Sequence, residues 1–403
     1  MKKSLLLSPK KPKKNFCIIF VVFISLFVFI FPIRSALVSA SGEAEAQDKL
    51  NQNVQELING LDLKELEQYL QSLDGNYQGS VAQRLTDYIK GENFNYSGFL
   101  DGILDILLKN VREMLPAFAC IIAIALLSGI ISSLKSNSLG TSSADTIVLI
   151  TYISALIPLI SVLTECFLSA FDCVNGMQTQ MQIVYPILLT LMATGGGTVS
   201  VAVCRPAVAF FSTNIVSVIT AVVFPLTITI ICFSVAGNLS KELKITKFSA
   251  FFKSINKWII GVCVSVFGIF FTLQGITTAS YDGIVRRATK YAIGNGVPIV
   301  GGFLSGGFDL AVASSVLIKN ALGSMSIFMM VAVLFEPLIT LISTNLLLRF
   351  TSAVTQPLGD GKISDFLGET ADNLHYCTAG LLFIAFLYFL SIMLFVSASE
   401  ALF

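Results

Sequence analysis

The stretch Tyr281–Gly323 reads YDGIVRRATKYAIGNGVPIVGGFLSGGFDLAVASSVLIKNALG. Its middle, 297–318, is long enough to cross a bilayer as a helix, which rises about 1.5 Å per residue. This segment also carries one carboxylate and four glycines, namely Asp309, Gly301, Gly302, Gly306 and Gly307. Such a segment is a poor lipid anchor, although its length suits a membrane span.

On a helix, Gly302, Gly306, Asp309 and Ala313 lie on one face. Small residues allow another helix to approach closely, and a carboxylate at this depth costs about 2.5–3.5 kcal/mol unless it is paired or hydrated. The face is therefore predicted to avoid lipid. Two interpretations remain open. The face is either a packing seam, with Asp309 protonated or hydrogen-bonded to a neighbour, or part of a water-filled path or re-entrant element.

The composition indicates a membrane protein, because 54% of the residues are hydrophobic and 13% are charged, against about 25% charged in soluble domains. A net charge of +1 gives no indication of nucleic-acid binding. The seven cysteines from Cys120 to Cys377 lie in or beside apolar runs and form no CxxC pair, so we interpret them as small apolar residues. His375 has no Cys or Glu at ligand spacing, and no metal site is predicted.

The amino terminus has the pattern of a secretory signal peptide. Six lysines precede the apolar run Phe16–Phe31, and the small residues Val38-Ser39-Ala40 follow it. Residues 1–40 are therefore predicted to be a signal peptide that is cleaved after about Ala40. The alternative is an uncleaved signal anchor.

Residues 41–113 are polar and carry helical stripes of apolar residues. Two amphipathic helices with a break at Gly60 are predicted first, followed by a second pair over Val81–Lys90 and Tyr96–Met114. We expect a small helical extracytoplasmic domain here, which acts either as a soluble cap or as a docking surface.

The remainder, 114–403, is predicted to be a membrane domain with about seven to eight apolar segments, some of which are candidates for re-entrant elements. The segments lie near 115–134, 146–170, 183–204, 207–236, 258–279, 297–318, 324–348 and 379–397. The third is interrupted by Gly195, Gly196 and Gly197, which makes it a second candidate for a broken element. The predicted fold class is an all-α, polytopic helical integral membrane protein.

Charge does not settle the topology. If every segment crosses, the lysines of 241–257 fall outside, against the positive-inside tendency. If the third segment is re-entrant, these lysines move inside and the Arg286 cluster moves outside. A third interpretation makes Lys241–Lys257 and Asp282–Tyr291 interfacial amphipathic helices.

No catalytic motif was found, so neither an enzyme nor a cofactor is predicted. Gly359-Asp360-Gly361-Lys362 lacks the leading glycine and the Ser/Thr of a nucleotide-binding loop, and Gly302–Gly306 misses the GxSxG pattern. Six ionisable residues lie at apparent membrane depth or its edge: Glu165, Arg205, Asp309, Lys319, Glu336 and Arg349. Four of them are expected to extend from the ends of their segments to the membrane interface: Glu165, Arg205, Lys319 and Arg349. Asp309 and Glu336 remain candidates for a packing or pore role, together with the glycines of both segments.

Several long segments carry a family resemblance: Tyr281–Gly302, Ser314–Gly323, YPILLTLMATGGGTVSVAVCRP at Tyr185–Pro206 and QPLGDGKI at Gln356–Ile363. They resemble the stage III sporulation protein AE family of spore-forming bacteria, and the resemblance covers nearly the whole chain. It implies a multi-pass component of a channel complex between mother cell and forespore, which is needed for late gene expression in the forespore. The implied location is the mother-cell membrane around the forespore, and the implied partners are other stage III sporulation membrane proteins, including an ATPase.

Two other functions remain open. Glycine-broken segments in both halves of the chain also occur in secondary transporters, where half-helices meet at a substrate site. A structural scaffold fits the scarcity of charge equally well.

Overall fold

The computed structural model describes residues 44–73, 80–89, 97–135, 141–239, 245–296, 301–357 and 361–397. The predicted signal peptide, 1–40, lies outside these residues. All regular elements in the described ranges are helical, which confirms the all-α prediction. The chain divides into two units, Met1–Lys49 and Leu50–Phe403. In the first, the described residues 44–49 begin a helix, and all contacts below belong to the second.

The described helices, numbered in chain order, are α1 (Ala44–Gly60), α2 (Lys64–Leu73), α3 (Val81–Ile89), α4 (Ser97–Lys135), α5 (Thr141–Thr194), α6 (Thr198–Leu239), α7 (Thr246–Gly296), α8 (Gly301–Thr355) and α9 (Lys362–Ser397). Stretches of α4 to α9 are long and apolar enough to cross a membrane. The polytopic prediction is therefore supported by six such helices among the described residues.

The helices α1 to α3 match those predicted for the polar amino-terminal region. Glu67 of α2 accepts hydrogen bonds from the backbone N–H of Val81 at 3.1 Å and from the Ser80 hydroxyl at 2.9 Å. This carboxylate satisfies a free N–H group at the start of α3 and ties α3 to α2. The predicted fourth helix does not end at Met114, because α4 continues to Lys135 through the first apolar segment.

Two pairs of predicted apolar segments are joined into single helices. The 54-residue α5 contains 146–170 and the first part of 183–204, and the 55-residue α8 contains most of 297–318 and all of 324–348. Between the first pair, Asp172, Asn175, Thr179 and Gln182 share one exposed face of α5, and Gln180 is buried with hydrogen-bond partners, so these polar residues do not interrupt the helix. Between the second pair, Lys319 is 1% exposed inside the bundle and α8 runs through it.

The helices α4 and α8 run parallel to each other, as do α5 and α9. Five other pairs of the described long helices run antiparallel. The contacts that show this are Thr151–Ser128 for α5 and α4, Cys166–Thr344 and Thr194–Ser315 for α5 and α8, Tyr152–Val235 for α5 and α6, Phe233–Phe252 and Phe211–Phe267 for α6 and α7, and Ser352–Ser364 for α8 and α9. The carboxyl ends of α4, α6 and α8 therefore lie at one end of the bundle, together with the amino ends of α5, α7 and α9. The glycine turn between α5 and α6, the carboxyl end of α7 and the amino end of α8 lie at the other.

The three glycines after Thr194 form a tight turn between α5 and α6. The N–H of Gly197 donates to the Met192 carbonyl at 2.8 Å, and the N–H of Gly196 donates to Ala193 at 3.0 Å. Gly196 has φ 84°, a left-handed conformation that glycine adopts without strain. This is the Schellman ending of a helix. The apolar segment 183–204 is therefore a helix end, a reversal and a new helix.

Helix α6 contains two π-helical segments, Phe211–Ile215 and Ile219–Val223. The Val223 carbonyl accepts hydrogen bonds from the Thr227 hydroxyl at 2.7 Å and from the amide of buried Asn256 in α7 at 3.4 Å. These side chains supply donors where the regular pattern of backbone hydrogen bonds changes. The π segments therefore fix the contact between α6 and α7.

The predicted separate interfacial helices over 241–257 and 282–291 are wrong as separate elements, because residues 246–296 form the single helix α7. Lys253 and Lys257 lie at the same end of the bundle as Arg349 and Lys362, whereas Lys290 lies at the other end. Neither charge count matches this distribution, because both place Lys253 and Arg349 on opposite sides of the membrane. The joining of 297–318 and 324–348 into the single helix α8 is the physical reason, since it removes one crossing between the two residues.

Candidate functional site

Asp309 forms an ion pair with Lys290 of α7. The carboxylate Oδ2 lies 2.6 Å from Nζ, and the side chains are 49% and 51% exposed, respectively. The pair lies near the end of the bundle, since Ser315, further along α8, hydrogen-bonds Thr194 at the α5–α6 turn. Asp309 therefore has the hydrogen-bonding neighbour that one of the two sequence interpretations required.

Within the chain, the glycine face of α8 does not show the predicted close contact at Gly306 and Gly307. A Cβ atom built on either residue would meet no atom within 4 Å. Both are exposed, and Gly301 and Gly302 lie in the first turn of the same helix. A packing role for this face would thus require another molecule, and the proposed packing or pore role of these residues stays a prediction.

Gly195 lies at the contact of α5 with α8. A Cβ atom there would be 3.3 Å from the Leu191 carbonyl oxygen and 3.7 Å from Cβ of Ser315. The Ser315 and Thr194 hydroxyls are 2.9 Å apart. The glycine turn is thus held against α8, and the two glycine-rich segments of the sequence approach each other at the same end of the bundle.

Glu336 is exposed and level with the charged part of α4. The Asn110 amide donates to the Thr340 hydroxyl at 3.0 Å, which fixes the relative height of α4 and α8. At this height the exposed charged residues include Lys109, Arg112, Glu113, Glu165, Asp172 and Glu336. Glu336 therefore belongs to a group of charges around the bundle and is not an isolated acid.

The other ionisable candidates have different environments. Arg349 donates to Asp372 at 2.7 Å and also contacts Asn345 and His375, and Arg205 is exposed. Lys319, expected to reach the interface, is buried. That expectation is wrong because the helix continues through Lys319 and turns its side chain toward the interior.

A polar face of α5 was missed by the sequence reasoning. Its exposed residues are Asp172, Asn175, Thr179, Gln182 and Thr190, which share one side of the helix. From Leu149 to Ile160, the exposed side chains of α5 are instead large and apolar, namely Leu149, Ile150, Ile153, Ile157 and Ile160. The spacing of three and four residues between Asp172 and Gln182 could have revealed this face.

The polar face of α5 overlaps in height with an apolar surface on α7. Tyr185 of α5 contacts Tyr388 of α9 with ring centroids 5.8 Å apart, and Phe267 of α7 contacts Phe383, also of α9, at 6.5 Å. Tyr388 and Phe383 are about 7 Å apart along a helix. Near Phe267, α7 exposes Val262, Val266, Ile269 and Leu273. Helices α6, α8 and α9 contact both α5 and α7 and lie between them.

The amino-terminal helices dock on α5 beside the polar face. The Tyr69 hydroxyl donates to the Gly176 carbonyl at 3.3 Å and accepts from the buried Gln180 amide at 3.0 Å. Burial raises the pKa of Tyr69, which keeps the phenol protonated and able to donate. These hydrogen bonds hold the amino-terminal helices at the point along α5 where the exposed side chains change from apolar to polar.

The described cysteines are free thiols. Cys120 and Cys232 are exposed, and the others are buried among the helices, where Cys166 contacts the Thr344 hydroxyl at 3.0 Å. The interpretation of the buried thiols as small packing residues agrees with these positions.

We expect Asp309→Asn to lower the free energy of unfolding by less than about 1 kcal/mol, because half-exposed ion pairs contribute little. Thermal unfolding in detergent measures this change. Lys290→Gln is the matched variant, and the double variant should lose no more than the larger single loss. A loss of several kcal/mol for either variant would show that the pair is a main stabilising contact.

Comparison with known proteins supports the family resemblance. The profile of the family described as stage III sporulation protein AE matches residues 80–399. The stage III sporulation protein AE of Bacillus subtilis (strain 168) is 22% identical over 384 residues, which are 93% of this chain and 96% of that protein. No solved structure matches. With its six apolar helices of membrane-spanning length and a family match over most of its length, the chain belongs to the stage III sporulation protein AE family.

Proposed function

We propose that this protein is a membrane subunit of a channel complex that links mother cell and forespore and supports late forespore gene expression. It resides in the mother-cell membrane around the forespore. Its partners are other stage III sporulation membrane proteins, including an ATPase, because this sequence contains no nucleotide-binding loop of its own.

One observation supports a conducting role best: polar and apolar surfaces lie on different sides of the bundle at the same height. The apolar surface of α7 suits lipid. The polar face of α5 does not, since an ionised residue such as Asp172 costs about 2.5–3.5 kcal/mol in hydrocarbon. A subunit with one lipid-facing side and one water-facing side is the unit from which a channel wall is built.

The polar face lines the passage in this proposal. Helix α5 contains no Lys or Arg, and its polar face offers one carboxylate, two amides and two hydroxyls. Such groups replace the hydrogen bonds of water to small polar solutes. The amino-terminal helices, docked through Tyr69, sit at one edge of this face.

Cysteine labelling in sporulating cells tests the proposal. Thr179→Cys and Gln182→Cys, in a background with Cys120→Ala and Cys232→Ala, should react with a membrane-impermeant maleimide. Ile269→Cys and Leu273→Cys on α7 are the matched controls and should remain unlabelled, because the reagent requires water at the thiol. No labelling on α5, or equal labelling on α7, would contradict the proposed arrangement.

A second measurement separates a passage from a scaffold. Thr179→Trp and Gln182→Trp narrow a passage but leave the buried side of α5 unchanged, so a late forespore reporter should fall while the membrane level of the protein stays constant. Ile269→Trp is the control and should leave the reporter unchanged. Normal reporter expression with both α5 variants would favour a scaffold.

A further inference from the structure

The first third of α7 carries an exposed surface of cations and aromatic rings. Lys257 is exposed and Lys253 is half-buried, and the side chains of Phe248, Phe251 and Trp258 are exposed as well. Trp258, the single tryptophan of the chain, is 70% exposed. We call these five residues the basic aromatic surface. It lies at the end of the bundle where α6 ends, since Phe252 stacks on Phe233.

The two lysines repel each other. They are four residues apart on a helix, an arrangement that is destabilising for like charges. Helix α7 has no Asp or Glu from Thr246 to Tyr281 that could compensate for them. Among the described acids at the same end of the bundle, Glu369 of α9 accepts hydrogen bonds from Ser234 and Asn238, Asp372 pairs with Arg349, and Asp365 is exposed on α9. The surface therefore complements an anion from outside the chain.

The surroundings of the lysines suit a phospholipid. Ser254 is exposed between them and provides a hydroxyl donor. A Cβ atom built on Gly261, one turn beyond Lys257, would meet no atom within 4 Å, so the same side of the helix is open. The exposed surface then continues as Val262, Val266 and Ile269. Cations at one level with an apolar surface beyond them match a charged headgroup with its acyl chain.

We propose that the basic aromatic surface of α7 binds an anionic phospholipid. The headgroup phosphate lies between Lys253, Ser254 and Lys257, and the rings of Phe251 and Trp258 occupy the boundary between headgroups and acyl chains, where aromatic residues concentrate. Each lysine near an anionic membrane surface strengthens binding by about fivefold, so the pair gives a preference of roughly twenty- to thirty-fold over a zwitterionic lipid. The site is independent of the passage proposed along α5.

The single tryptophan allows a direct test with the full-length protein. We would reconstitute it in vesicles of phosphatidylcholine and phosphatidylglycerol in equal amounts, with brominated acyl chains on one lipid or the other. Bromine quenches tryptophan emission at short range. Brominated phosphatidylglycerol should quench Trp258 more strongly than brominated phosphatidylcholine, and high salt should reduce the difference because the attraction is electrostatic.

In the double variant Lys253→Gln/Lys257→Gln, the emission of Trp258 should be quenched equally by both brominated lipids. The matched control Lys64→Gln/Lys109→Gln removes the same charge from exposed positions on other helices and should keep the preference. Equal quenching of the unaltered protein by both lipids would overturn the proposal. A preference that survives Lys253→Gln/Lys257→Gln would also overturn it, because other residues would then recruit the lipid.

Discussion

Gly323→Ala should destabilise the contact between α8 and α9 by about 1–3 kcal/mol, a typical cost of overpacking. A Cβ atom at this position would lie 2.5 Å from Cγ2 of Val396 and 3.4 Å from Cγ2 of Ile392. Both neighbours are β-branched, so their side chains have little freedom to rotate away. The apparent melting temperature of the detergent-solubilised protein should fall, and less folded protein should be recovered from membranes.

Two variants make this prediction specific. Adding Val396→Ala to Gly323→Ala removes the clashing methyl group and should restore part of the lost stability. Gly306→Ala places the same methyl group in open space, where alanine in a helix gains about 0.5–1 kcal/mol over glycine. A Gly323→Ala protein as stable as the unaltered chain would disprove the close contact. If Gly306→Ala leaves the chain stable but prevents assembly of the complex, the glycine face of α8 binds another subunit.

Tyr69→Ala should release α2 from the membrane bundle. The change removes the ring from its contact with α5 and breaks two hydrogen bonds, and it leaves the buried Gln180 amide with one partner, the Met329 carbonyl. Each lost hydrogen bond costs about 0.5–1.5 kcal/mol, and loss of the ring adds to this. The amino-terminal helices should then be cut by protease at concentrations that leave the unaltered protein intact.

Tyr69→Phe is the matched control, because it keeps the ring and removes only the hydroxyl. It should show an intermediate sensitivity, and Gln180→Leu should resemble it. Protease resistance of Tyr69→Ala equal to that of the unaltered protein would show that other contacts hold the domain. Since the bundle of α4 to α9 packs without Tyr69, its apparent melting temperature should change less than the protease sensitivity.

Much of the architecture follows from the sequence. The long apolar segments of the sequence indicate an all-α membrane protein. Apolar stripes that include Leu66 and Leu70 indicate the amino-terminal helices, and both residues are buried. The number of separate helices does not follow from hydropathy alone. A hydropathy average drops between Asp172 and Gln182, although the exposed polar residues there occupy one face of a helix that continues and Gln180 is buried with hydrogen-bond partners.

The candidate site was predictable in part. The cost of placing the Asp309 carboxylate in a membrane indicates that Asp309 needs a partner. The partner is Lys290, 19 residues earlier in the sequence, and it reaches Asp309 only because α7 and α8 lie side by side. The glycines of 195–197 indicate a break, yet only the positive φ of Gly196 shows that the break reverses the chain. The burial of Lys319 depends on the rotation of α8, which packing against its neighbours determines.

The long helices have a mechanical consequence. Helices α5, α7 and α8 contain 54, 51 and 55 residues, so each is a rod about 75–83 Å long. Helix α7 contains no proline, whereas Pro158 and Pro186 in α5 and Pro337 in α8 are points where a helix bends. The hydrocarbon layer is only about 30 Å thick, which leaves much of each rod outside it. If such a rod pivots near one end, a tilt of about 5° moves the other end by about 7 Å over this length. A force that tilts such a rod at one end is therefore converted into a displacement wider than a water molecule at the other.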